Sequence, residues 1–138
     1  MAIQTALDSI SQNAGSPFGF KNRIINGSIT IDQKSAGANT VVTDTSGTLK
    51  YYGPDRFGLI STSASGPVAF GQNLGGATPP AGFTNYLGVK SLAAFNPVPG
   101  TDYYMLEQRI EGFNTADLMW GSASASTVTL SFWVQSSL

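Results

Sequence analysis

The side chains that could do chemistry in this 138-residue chain are carboxylates, aromatics and amides, because it contains no histidine and no cysteine. That absence removes the commonest general base and metal ligand, and with them Ser-His-Asp, Cys-His and zinc hydrolase arrangements. Glu107 and Glu111 are the most suggestive acid pair, four apart with Arg109 between them. On an extended strand they share a face, yet lie ~13 Å apart. Glycosidase carboxylates stand roughly 5 to 9.5 Å apart. The pair therefore reads as a solvated strand face whose charges Arg109 balances. Asp55 and Asp102 sit at loop ends where oxygen ligands for calcium could stand, but no dense Asp/Asn loop of the EF-hand kind accompanies them. No metal or cofactor is expected. The run GQNLGG at 71–76 lacks the Lys-Ser/Thr and the helix of a phosphate loop. Asn26-Gly27-Ser28 matches a glycosylation acceptor only formally, inside an expected strand.

Aromatics are the remaining functional resource. A flat ring stacks on the apolar face of a sugar, which makes Trp133, Trp120, Tyr51 and Tyr52 candidates for glycan contact or for an interface, with Tyr86, Tyr103 and Tyr104 behind them. Aromatics also fill cores and subunit contacts. Trp133 alternates away from the Phe132 face, which sends it either to a surface or interface or into a second buried face.

The elements that must position these groups are strands. Hydrophobic residues make up 41% of the chain and charged ones only 11%, with sixteen glycines and seven prolines, a balance that favours an all-β domain with many turns over a helical one. One domain of this length buries roughly 68% of the surface its unfolded chain exposes. The net charge of −1 comes from scattered residues. Nucleic acid is thus an unexpected partner. No stretch of about 20 apolar residues occurs, so no membrane insertion is expected. The first residues, MAIQTALDSISQ, lack the basic start and apolar core of a signal peptide. The chain is expected to be made in the cytoplasm as a soluble protein.

Residues 1–20 read as an arm. Ile3, Leu7 and Ile10 form a short amphipathic stripe that needs a surface, either the domain's own sheet or a neighbouring subunit, or else frays. Asn13 to Gly19, with Pro17, reads as a hinge. The domain, 21–138, begins with NRIINGSITIDQ at 22–33, where Ile25, Ile29 and Ile31 alternate with polar residues as in a first long strand. A hairpin is expected around Asp44-Thr45-Ser46-Gly47, then strands in PDRFGLIS (54–61), around Tyr86 to Leu92, in YYMLEQRIEG (103–112) and in TVTLSFWVQ (127–135). The glycine- and proline-rich 66–82 reads as one long loop. In the last strand Val128, Leu130, Phe132 and Val134 point one way and Trp133 the other. A strand so apolar belongs inside a sheet. Five or six strands are few for a closed sandwich, so the sheet is expected to be incomplete at its end or completed by a partner.

Four of these stretches, in this order, resemble a module of bacteriophage tail fibres and related virion appendages: Asn22 to Gln33, Tyr52 to Phe57 (YGPDRF), Gln108 to Glu111 (QRIE) and Val128 to Val134. The resemblance implies an antiparallel β-sandwich of jelly-roll type, similar to carbohydrate-binding modules, in a homo-oligomeric and often trimeric appendage. It also implies other virion proteins of tail or capsid as partners, with the 1–20 arm docking through Ile3, Leu7 and Ile10, and contact with host-surface glycan. The expected role is structural and non-enzymatic, on the virion. The alternatives are a capsid decoration or head-fibre protein of the same fold and, from another class, a polysaccharide-degrading enzyme or its binding module.

Overall fold

The computed structural model describes residues 21–43, 46–47, 53–62, 66–94 and 100–137. Five strands form in it: β1 (Thr40–Val42), β2 (Gly58–Ser61), β3 (Val68–Gln72), β4 (Leu87–Ser91) and β5 (Tyr104–Glu107). They make two antiparallel sheets, one of order β1-β3-β4 and one pairing β2 with β5. The only helical elements among the described residues are single 3₁₀ turns, Gly112–Asn114 and Ala116–Leu118. The described residues are all-β, as the composition implies. The sheets are small and unclosed.

The core explains why these short strands hold. Val68 and Phe70 lie two apart on β3 and so share a face, where they meet Val42 of β1 and Leu59 of β2, with Phe57 and Leu87 against them. Leu59 comes from the two-stranded sheet and the other three from the three-stranded one, so the core is also the joint between the sheets. Phe70 is completely buried and Leu59 nearly so. Gly53 lies against the Phe70 ring: a Cβ there would stand 2.3 Å from Cε1. Only glycine fits. A Cβ at Gly88 would stand as close to the Leu74 carbonyl oxygen, so glycine there lets β4 run back along β3. The register runs Val68↔Ser91 to Gln72↔Leu87 on one side of β3 and Thr40↔Phe70 to Val42↔Val68 on the other.

The expected strands at 54–61, 86–92 and 103–112 are present as β2, β4 and β5, each shorter than its apolar run. Three expectations are corrected. Residues 22–33 are not a strand: Asn26 and Ile29 take left-handed φ of 57° and 55°, and of the alternating isoleucines only Ile29 is buried. The Asn26-Gly27 turn signal overrides the alternation, because asparagine tolerates the left-handed region and its side chain can bond the local backbone. The 66–82 stretch is not one loop, since β3, the central strand of the larger sheet, runs through it. Val68-Ala69-Phe70 is a buried run, which carries no alternation to notice. Finally, 127–137 pairs with no strand among the described residues.

Gly47 takes the positive φ expected of it, 68°, while Asp44 and Thr45 lie outside the described residues. So do the arm residues Ile3, Leu7 and Ile10, the hinge, and Tyr51 and Tyr52. Among the described residues no helix is long and apolar enough to cross a membrane.

Candidate functional site

The polar residues of three of the four motif stretches converge on one another. Asn26 is the first node. In its left-handed conformation its amide donates from Nδ2 to the carbonyls of Ile31 (2.8 Å) and Asp55 (3.0 Å), while Oδ1 accepts the Ile31 N–H (3.0 Å). Asp55 closes the ring from the other side: its N–H donates to the Ile31 carbonyl at 3.1 Å and its Oδ2 accepts the Gln33 N–H at 2.6 Å. A single amide thus fixes the path of 22–33 and the turn at 53–57 together.

The second node is Gln108, just past the end of β5. Its Nε2 donates to the Ile25 carbonyl and its Oε1 accepts the Ile25 N–H, both at 2.8 Å. The third is Arg56, itself at φ 78°. One of its Nη atoms donates to the Arg109 carbonyl (3.0 Å) and pairs with Glu111 Oε1 (2.5 Å). Beyond it, Arg23 forms a two-pronged pair with Asp117, 2.6 Å on each arm, and also donates to the Asn114 carbonyl. Asn114 in turn donates to Glu111 Oε2 at 3.2 Å. Gln72, at the end of β3, donates to the Ile29 carbonyl at 2.6 Å and anchors this assembly to the larger sheet.

Between these nodes lies a cleft of about 380 Å³ lined by Lys34, Gly53, Pro54, Asp55, Arg56, Arg109, Ile110 and Glu111. Paired charges set the electrostatics in and beside it. Glu111 is held below the usual carboxylate range, first by its own backbone amide and then by the Arg56 guanidinium. Asp117 is pulled down to about 2, first by the hydrogen bonds from Arg23. A general acid at neutral pH needs the opposite shift. Glu107 pairs with Arg109 at 2.5 Å. β5 ends at Glu107, so Glu111 does not extend that strand and the expected shared face does not form. Asp55 spends its carboxylate on the Gln33 amide, and Asp102 Oδ2 is buried without a hydrogen-bond partner among the described residues. No group of three His, Cys, Asp or Glu residues that could hold a metal ion occurs among the described residues.

The aromatic candidates fall elsewhere. Trp120 is exposed and its ring N–H donates to the Ser126 carbonyl at 2.9 Å, closing the small-residue turn that precedes the tail. Trp133 is 78% exposed. Neither lines the cleft. Around Trp133 the tail side chains Leu130, Phe132 and Val134 are exposed to 70%, 72% and 82%. These values are unusual for large apolar groups.

Asn26, Arg56 and Gln108 escape a reading based on alternation, which assigns them to the wet faces of strands. Turn markers stand near two of them, Asn26-Gly27 and Gly53-Pro54, and none stands beside Gln108.

Compared with known protein families, characterised proteins and solved structures, this chain matches none.

Proposed function

We propose that this chain is a non-enzymatic structural protein of a bacteriophage particle, part of a tail fibre or similar appendage. On this reading the two small sheets are parts of a jelly-roll sandwich, the chain works as a homo-oligomer with a trimer favoured, and its exposed aromatics contribute to recognition of host-surface glycan. The observation that carries the reading is the convergence of the motif stretches. Asn26, Asp55, Arg56, Gln108 and Glu111 come from three separated segments and interlock through side-chain bonds to backbone and the Arg56–Glu111 ion pair, as the shared framework of a module does. The lowered pKa values of Glu111 and Asp117 favour a scaffold over acid-base chemistry. The exposed tail favours assembly with further chain.

The test is location on the particle. Gold-labelled antibody against the chain, applied to purified particles of the phage that carries it, is expected to decorate the tail. Label confined to the capsid would assign it to shell decoration or a head fibre instead. Particles without label would overturn the virion reading. Glycan recognition is tested separately, by retention of the purified chain on immobilised host polysaccharide. Trp120→Ala and Trp133→Ala are expected to reduce that retention, and retention equal to that on an unrelated polymer would remove this part of the reading.

A further inference from the structure

The tail and one edge of β5 both lack a strand partner among the described residues. Thr62 donates its N–H to the Tyr103 carbonyl at 3.2 Å, in register with the β2–β5 ladder. Antiparallel pairing alternates, so Tyr103, Met105 and Glu107 turn their backbone groups toward β2, and Tyr104 and Leu106 turn theirs to the outer edge. That outer row has no partner among the described residues. The edge is apolar, too: Tyr104, Met105 and Leu106 are 40%, 43% and 48% exposed. Open edges usually carry a charge to prevent pairing. The open edge of β4 has Lys90, whereas the one charge of β5, Glu107, stands at its end and is paired with Arg109, leaving Tyr104–Leu106 unguarded.

The tail offers what that edge lacks. Thr127 to Gln135 alternates β-branched and aromatic residues over a strand's length, carries no charge, and forms no ladder in its own chain among the described residues. We propose that residues 127–135 of one copy add as a strand to the outer edge of β5 in a second copy, by backbone bonds to Tyr104 and Leu106, with Leu130 and Phe132 covering that copy's exposed β5 side chains. The occupant is a copy of this chain because donor and acceptor are present in equal number, so repeated head-to-tail exchange can close a ring and leave no edge open. The area suffices. With an aromatic side chain carrying ~150–250 Å², the four large residues of the Leu130 face, Val128, Leu130, Phe132 and Val134, expose roughly 500 Å². The acceptor side chains Tyr103 to Leu106, 40–48% exposed, add roughly 400 Å², which with the paired backbones brings the contact to about the 1,000 Å² that a specific interface clears. This inference does not depend on the virion reading.

The test uses light scattering on the full chain and two variants that each remove one half of the contact. Leu106→Pro deletes an outward N–H and leaves the β2 ladder bonds in place; Leu106→Lys guards the same edge without constraining the backbone, should the proline disturb folding. Leu130→Pro disables the donor. The wild-type chain is expected to be a discrete oligomer and each variant a folded monomer, at least a twofold fall in mass. Mixing an edge-blocked variant with Leu130→Pro is expected to give a one-to-one heterodimer, because one intact donor and one intact acceptor remain. A monomeric wild type, an oligomer that survives Leu106→Lys, or a mixture that stays monomeric would overturn the proposal. The first of these would mean that the tail's partner is not a copy of this chain.

Discussion

Gln108 and Ile25, 83 positions apart, are joined by two hydrogen bonds of 2.8 Å in which one side-chain amide plays the part of a neighbouring strand. The amide needs both ends, since Nε2 donates to the carbonyl while Oε1 accepts the N–H. With a net contribution of about 0.5–1.5 kcal/mol per bond, Gln108→Ala is expected to destabilise by about 1–3 kcal/mol. Gln108→Glu keeps the acceptor but sets a carboxylate against the Ile25 carbonyl, so at neutral pH it should be no milder than alanine. The midpoint of urea unfolding measures both. A glutamate variant as stable as wild type would show that the clasp contributes nothing.

Phe70 and Gly53 make a contact of the opposite kind, where an atom is excluded. Gly53→Ala would place a Cβ 2.3 Å from the Phe70 ring, and overpacking of this sort costs about 1–3 kcal/mol. Phe70→Leu alone loses core contacts, yet it also removes the ring that the new methyl strikes. The double variant is therefore expected to be at least about 0.5 kcal/mol more stable than the two single losses predict. Strict additivity would mean that the Gly53 turn moves away from the core.

Acid should attack the Arg23–Asp117 pair. Asp117 is lowered from 3.8 to about 2, first by the hydrogen bonds from Arg23. A depressed carboxylate contributes stability that is complete above its unfolded value and is lost as pH falls through the folded one. The melting temperature is thus expected to fall between about pH 4 and pH 2, with Glu111, also lowered, adding in the same direction. Asp117→Asn should melt lower at pH 7 and show a shallower decline across that interval. If the variant's curve parallels wild type down to pH 2, the pair has no role in acid stability.

The strands with mixed or aromatic-rich runs, β2, β4 and β5, were legible in the sequence, because alternation and turn residues on either side agree there. Two failures share one cause: binary patterning says which side chains prefer burial and nothing about backbone handedness or partner. The segment 22–33 has strand periodicity, but Asn26 in the left-handed region spends its amide on Ile31 and Asp55, and the loop wins. β3 hides in a glycine- and proline-rich stretch, where Gly71 is needed because a Cβ would stand 2.4 Å from Asn39 Oδ1. The clasp was half legible: its residues lay in three of the four motif stretches, while their mutual contacts are long-range and leave no periodic trace.

Arg56 supplies the last prediction, because its backbone and side chain pull in different directions. Phe57 donates to the Pro54 carbonyl at 3.1 Å, closing a four-residue turn with Asp55 and Arg56 in the middle and Arg56 at φ 78°. A turn with positive φ at its third position favours glycine, and other residues pay about 1–2 kcal/mol for that conformation. Arg56 holds it because the guanidinium is tied to Glu111 and to the Arg109 carbonyl. Arg56→Ala loses those ties and keeps the strain; Arg56→Gly loses the same ties but releases the strain. Glycine is therefore expected to be the more stable variant by about 1 kcal/mol, the reverse of the usual order for these two residues, read from the difference in urea midpoints. Alanine equal to or better than glycine would mean that the turn relaxes once the guanidinium is gone, and that the ion pair with Glu111 holds the left-handed turn in place.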